Sequence, residues 1–220
     1  MTDEWAPELV AEPTKDGVDR AVRAARRVVD GLVRAGRGSA ADLEGVAGEL
    51  ERLADHLEDH APDLGERIRQ MWGVGGLEMT RHDPVTGPEN ALAPPLVVQG
   101  RSEKEVSGEV TFGLAYQGPP GHVHGGCTAL VLDHALGMAN HWAGTSGMTA
   151  KLALRYHRRT PLFVPLQVVA RQVSVDGRRI VTTGEVLTPD GEVCVSAEGL
   201  FVVIDVSGAA AAMAETLAEN

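Results

Sequence analysis

Long apolar runs are missing from this chain: no stretch approaches the ~18 uninterrupted apolar residues that a membrane-spanning helix needs. Basic residues are in deficit, 20 Lys plus Arg against 31 Asp plus Glu, and the resulting net charge of -11 repels phosphate backbones and anionic lipid. Nucleic acid and membrane surfaces are therefore not expected as partners. Cysteine is scarce as well. Cys127 and Cys194 stand far apart, fit neither a metal-ligand spacing nor a disulfide framework, and read as small buried apolar residues in a reducing compartment. Met1 to Pro13 carry acids and no base, unlike the start of a secretory signal, so a cytoplasmic location is expected. Aromatic residues make up only 4%, which leaves the core to aliphatic side chains.

What is present is ordinary for a globular chain: 43% hydrophobic and 23% charged residues over 220 positions. That length holds one sizeable domain with an appendage, or two small ones. The pattern divides into a flexible acidic tail over 1–15, a helical hairpin region over 16–75, a β-rich domain over 76–206 and an alanine-rich tail over 207–220. In the hairpin region Val18, Val22, Ala25, Val29 and Leu32 recur in steps of four and three, the mark of an amphipathic helix. Gly36 and Gly38 stop it, Ser39 is placed to cap a second helix with Asp42 in its first turn, and Leu43, Val46, Leu50, Leu53 and Leu57 form the second seam. Joined by so short a turn, the two helices should lie antiparallel, with their stripes facing each other or the main domain. Pro62 ends this unit, and Asp63 to Trp72 can add another helical turn or two. From Arg81 to Pro95, Asp-Pro, Thr-Gly-Pro and Pro-Pro forbid regular structure and predict a crossing loop.

From Leu96 onward the period changes to two. Val106, Gly108, Val110 and Phe112 alternate with polar neighbours, and in Met148 to Arg158 the even positions Met, Ala, Leu, Leu, Tyr predict a buried face. The odd positions, Thr149, Lys151, Ala153, Arg155 and His157, would then be the polar face. Asp176-Gly177 and Asp190-Gly191 supply the positive φ angles that tight hairpins require. Strands over Leu166 to Val175, Arg179 to Leu187 and Val193 to Ile204 should therefore form an antiparallel meander.

One segment does not fit a plain core. Between Gly125 and Ala139 nearly every side of the predicted helix is apolar, and Asp133 and His134 are its only acidic or basic residues. Such a helix is normally enclosed, here by the curved sheet, an arrangement known as the hot-dog fold and of α+β class. An unpartnered carboxylate in those surroundings costs several kcal/mol. Asp133 therefore either faces solvent or an arginine at a gap in the sheet, or serves as a catalytic base or nucleophile. The approach to the helix runs from Gln117 through Pro119 and Pro120 to His124-Gly125-Gly126. Its glycines allow close backbone approach, and the free N–H groups of a helix start suit a developing oxyanion. Asp133 lies about two turns further on, roughly 10 Å along the axis. The same oxyanion site cannot easily use both, so another strand or a second subunit is expected to complete it.

Gly118 to Met138, with His-Gly-Gly, six intervening residues and then Asp, together with Met148 to Tyr156 and Thr160-Pro161-Leu162, resembles the PaaI and THEM-like branch of the hot-dog thioesterase superfamily. A final Glu-Gly-Leu-Phe strand, Glu198 to Phe201, adds to the likeness, which runs from about Asp83 to Asp205 and leaves the helical hairpin uncovered. The resemblance implies hydrolysis of an acyl-CoA or acyl-carrier-protein thioester. Asp133 would activate water or attack the thioester carbon, the Gly126 amide would bind the oxyanion, Thr149 would assist, and His124 would shape the loop. It also implies homodimers, often paired into tetramers, and no cofactor, CoA being part of the substrate. The sequence departs from the branch in having Lys151 where it carries Asn, and His134 beside the carboxylate, which bears on substrate choice.

Independently of that likeness, Lys151, Arg155, His157, Arg158 and Arg159 fall within nine positions of an acidic chain. With Gly125 nearby, this local reversal of sign could hold the phosphates of CoA or simply be a solvated strand face. His122, His124, Asp133, His134 and His141 lack a ligand spacing, so no metal is expected. A non-catalytic acyl-CoA or acyl-carrier-binding module is the competing function. The N-terminal hairpin reads as a packing or oligomerisation element, with a lid over the acyl site as the other possibility.

Overall fold

The computed structural model describes residues 17–67, 81–94 and 96–203. Helix α1 spans Gly17–Ala35 and α2 spans Leu43–His60, separated by a single 3-10 turn at Gly36–Gly38 where Gly36 takes φ 51°. The cap of α2 is Asp42 rather than Ser39. Its carboxylate accepts the Gly45 N–H at 3.0 Å, while the Ser39 hydroxyl accepts from Ala41 N one step earlier. A carboxylate complements the positive end of the helix dipole better than a hydroxyl, which favours the later start. Residues 64–67 add a helical turn; the remainder of the stretch to Trp72, both tails and Ile204 lie outside the described residues.

The β-rich part forms one six-stranded antiparallel sheet built from β1 (Val97–Ser102), β2 (Glu105–Val110), β3 (Met148–Tyr156), β4 (Leu166–Asp176), β5 (Arg179–Leu187) and β6 (Val193–Val202). Its order is β1-β2-β4-β5-β6-β3, so β1 and β3 are the edges. The sequence resolves the first β segment less well than the later ones, because the turn at Glu103-Lys104 has no Gly or Pro to mark it. Gly177 at φ 55° and Gly191 at φ 79° close the β4-β5 and β5-β6 hairpins as expected.

Helix α3, Gly125–Trp142, lies on the inner face of the sheet and completes the hot-dog fold. Val131, Leu132, Ala135, Leu136 and Ala139 are buried against Val106, Phe112, Leu166, Ile180, Val186 and Phe201. Each fully buried Leu or Val contributes about 1.5–3 kcal/mol, so this seam outweighs any single polar contact in the molecule. Near its C-terminal end Asn140 is buried too, and its Oδ1 accepts from Thr182 Oγ1 and Gln172 Nε2, tying the helix to β4 and β5. The Trp142 indole N–H donates to the Ser102 carbonyl on β1. Cys194 is buried as expected, whereas Cys127 is only half-buried on α3.

Polar contacts hold α1 to this body. Arg26 donates to the carbonyls of Gly87 and Asn90 at 3.0 and 2.7 Å, and Arg81 bonds both the buried Asp19 and Glu89 at 2.6 Å. The loop 81–94 is irregular, as its prolines demand, but it is pinned at many points. Desolvation offsets much of the Coulomb gain in such a buried pair, so it selects an orientation for α1 more than it adds stability. By contrast α2 buries no residue, and Leu43, Leu53 and Leu57 remain 39%, 53% and 61% exposed. The expectation that its stripe would face α1 or the main domain is not met among the described residues.

Candidate active site

The sheet does not enclose α3 completely. Gly126 and Leu130 are exposed and Asp133 and Gly137 are half-buried, a stripe at helical spacing that faces away from the core. Asp133 therefore sits where an apolar helix surface meets an opening, next to the edge strand β3. Its Oδ1 accepts a hydrogen bond from Thr149 Oγ1 at 3.0 Å.

That contact depends on an irregularity of β3 which strict alternation misses. Thr149 pairs with Phe201 and Lys151 pairs with Leu200, so Ala150 is the extra residue of a β-bulge. Phe201 is a core side chain, and the bulge carries Thr149 onto the helix side of the sheet together with Leu152 and Leu154. The expected face with Thr149, Lys151 and Arg155 in one row is thus broken at its first member. The even positions are not a buried face either. Met148 and Tyr156 are 62% and 56% exposed, and only Leu152 and Leu154 are half-buried, because β3 has a neighbour on one side alone.

At the helix start His124 is the N-cap, and its ring Nδ1 accepts the Gly126 N–H at 3.0 Å. The donor expected to serve an oxyanion is therefore engaged by the adjacent imidazole. Tyr156, at an expected core position, instead donates its hydroxyl to the Gly125 carbonyl at 3.0 Å. A Cβ on Gly125 would lie 3.2 Å from the Tyr156 ring, so glycine lets strand and helix start approach this closely. The signal available in the sequence was a tyrosine at the end of a strand in a chain with two tyrosines.

The five basic residues separate into two groups. Lys151 and Arg155 point to the outer face, where Arg155 lines an open basin of about 600 Å³ with Arg171, Glu185 and Glu198. His157, Arg158 and Arg159 instead line a cleft of about 320 Å³ with His122, Gly125, Thr128 and Tyr156. Within it Arg158 is paired with Glu192, and His157 Nε2 lies 2.8 Å from Ser196 Oγ.

Behind Asp133 the neighbouring His134 turns inward, its Nδ1 3.5 Å from Asp83 Oδ2 and its Nε2 3.3 Å from Thr86 Oγ1. Burial holds its pKa below the ordinary histidine value, and the nearby carboxylates of Asp83 and Asp133 oppose that shift without reversing it. His134 is a half-buried histidine joining α3 to the 81–94 loop. Among the described residues no group of three or more His, Cys, Asp or Glu side chains stands together in a way that could hold a metal.

The thioesterase superfamily model matches residues 120–195, from the turn before His124 into β6, and a model for the N-terminal helical domain of hypothetical protein RHA1_ro05818 matches 9–66. The crystal structure of protein RHA08564, a thioesterase superfamily protein, is 58% identical over 91% of this chain and 98% of its own, with a TM-score of 0.81. The chain belongs to the thioesterase superfamily. Acyl-coenzyme A thioesterase THEM4 of Rattus norvegicus is 30% identical over 106 residues, 48% of this chain and 46% of that protein. THEM4 of Xenopus laevis is 29% identical over 87 residues, 39% of each. This superfamily member thus spans less than half the length of these curated relatives. Its helical region, covered by a family model of its own, lies before the part that matches the thioesterase superfamily model. No helix among its described residues is long and apolar enough to cross a membrane.

Proposed function

We propose that this protein hydrolyses an acyl-CoA-type thioester to a carboxylic acid and a free thiol, with Asp133 as the reacting carboxylate. The supporting observation is the 3.0 Å hydrogen bond from Thr149 to one Asp133 oxygen at the open stripe of an otherwise greasy helix. Thr149 fixes the carboxylate by one oxygen and leaves the other to act. In the base route that oxygen takes a proton from water as the water adds to the carbonyl carbon. The carbonyl oxygen becomes an oxyanion, the C–S bond breaks, and the proton passes to the departing thiolate. In the nucleophilic route the oxygen itself adds to the carbonyl carbon, the C–S bond breaks and the thiolate leaves, and water then cleaves the mixed anhydride to two carboxylates, its protons going to the thiolate and to solvent. Both use the same atom.

The Gly126 N–H serves the oxyanion once the exposed His124 ring swings off it, so His124 holds the helix start in order until substrate enters. At ~1.5 Å per residue, Gly126 and Asp133 of one chain stand about 10 Å apart along the axis, too far for one carbonyl. A homodimer solves this by bringing Asp133 of one copy to the helix start of the other. The unpaired edge of β3 and the exposed Leu130 beside Asp133 support this arrangement, and further pairing of dimers through the outer sheet faces is compatible with it. The cleft joining Gly125 to His157, Arg158 and Arg159 is suited to CoA phosphates, whereas Lys151 and Arg155 lie on the outer face, away from that cleft. Carboxylate, hydroxyl and amide groups suffice for this chemistry, so the reading calls for no cofactor. Scarce cysteine supports a reducing, cytoplasmic setting.

The test is thiol release from a panel of acyl-CoAs and acyl-carrier proteins. The wild type should turn over, and Asp133→Asn and Asp133→Ala should each lose at least ~100-fold in kcat, as when a principal catalytic group is removed. Acyl-CoA binding without turnover in the wild type would establish the non-catalytic module instead.

A further inference from the structure

Helix α2 is the element whose structure its own chain explains least. It has 18 residues, contains Gly45 and Gly48, and makes no extensive contact with any other described element. A lone helix of this length is marginal in water, and each interior glycine weakens it further. Its apolar residues nevertheless keep a strict three-four rhythm from Leu43 to Leu57, the pattern of a seam that packs into a facing helix. Ala47 and Ala54 lie within the same stripe and would let that partner approach closely.

Helix α1 offers a matching surface. Its inward face is taken by the main body through Asp19 and Arg26, but Val28 and Leu32 are 39% and 42% exposed, and Ala21, Ala24 and Gly31 beside them are exposed too. The charges are opposite. Helix α1 holds five arginines against two aspartates, and α2 holds six acids against one arginine. Arg20 and Arg27, two turns apart, flank the outer strip of α1, while Glu51 and Glu58, also two turns apart, flank the seam of α2. None of these four forms an ion pair among the described residues.

We infer that α2 docks on α1 of a second copy of this chain, and that the exchange is reciprocal. Each copy presents one basic, small-residue strip and one acidic leucine seam, so a two-fold pair satisfies all four surfaces and leaves none open to further addition. The partner is chosen by apolar burial, and the charges set its orientation and suppress pairing of α2 with another α2. This interface is independent of the reaction proposed above.

The experiment uses full-length chains with two different tags, one carrying Val28→Cys and the other Leu53→Cys. Both positions lie near the middle of their helices, so they meet whichever way the helices run. Mild oxidation of the mixture should give a disulfide joining the two tags, absent from either single variant alone, which controls for Cys127 and Cys194. Charge reversal by Arg20→Glu with Arg27→Glu should weaken association about tenfold, and adding Glu51→Arg with Glu58→Arg should restore it. That rescue separates a charge-matched interface from simple misfolding. A chain carrying both cysteines that closes only on itself would show that α2 folds back on its own α1 and would overturn the inference. Absence of any crosslink, or charge reversal without effect, would overturn it equally.

Discussion

Helices α2 and α3 are both 18 residues long, and they meet opposite fates. Helix α3 is apolar on almost every side and has eight buried residues beneath the sheet, whereas α2 is sharply amphipathic and has none. The better-patterned helix is the bare one. A clean apolar stripe says that a helix expects company but not from where, while an all-round apolar helix forces its own chain to wrap it. The one stripe of α3 left uncovered, from Gly126 to Gly137, is also where Asp133 stands.

Substitutions along both helices can break this comparison. Leu136→Ala, at a position 0% exposed, should lower the unfolding free energy by about 2–5 kcal/mol in a denaturant titration. A loss below ~1 kcal/mol would mean that α3 is less tightly enclosed than its burial indicates. Next in size is the contact at the open stripe: Thr149→Val should reduce kcat on an acyl-CoA about tenfold, the worth of one hydrogen bond to a charged group. Deleting Ala150 is the control: it removes the bulge but leaves Thr149 next to Lys151 and so still opposite Phe201 on the helix side, and kcat should fall less than in Thr149→Val. A deletion that cost more than Thr149→Val would mean that the bulge itself, beyond the hydroxyl it presents, shapes the site.

A smaller effect lies behind the helix. His134 titrates below the ordinary histidine value in the folded protein, so the unfolded chain takes up its proton first as pH falls below about 6.5. Its contribution to stability is whole above that pH and is lost as pH drops toward the folded pKa. Thermal unfolding of His134→Gln should accordingly depend less on pH in that window than wild type, the half-buried His82, also depressed by desolvation, retaining its share. A slope unchanged from wild type would show that His134 is not the group responsible. Smallest of all, Leu57→Ala on α2 should change main-domain stability by less than ~0.5 kcal/mol, whatever it does to association. A cost near that of Leu136→Ala would mean that the seam is covered within its own chain.

Much of this molecule is legible in the residues. Period-two runs and two Asp-Gly turns yield the β4-β5-β6 meander, the Arg81 to Pro95 punctuation yields an irregular loop, and an acidic residue in a greasy helix marks Asp133 as exceptional. These follow from local chemistry, since backbone preferences and apolar period act over a few residues. Less legible were the boundary between β1 and β2, the choice of Asp42 over Ser39 as cap, and the part of Tyr156 at the helix start.

By itself the sequence determined which segments are helix or strand, where the hairpins turn, and that Asp133 needs a compensating environment. Only the tertiary structure decided that Thr149 faces it, that Gly126 is held by His124, and that the basic residues divide between two faces. The physical reason is parity. One bulged residue reverses the side on which every preceding side chain of a strand projects, and whether a bulge forms depends on the partner strand rather than on the run itself.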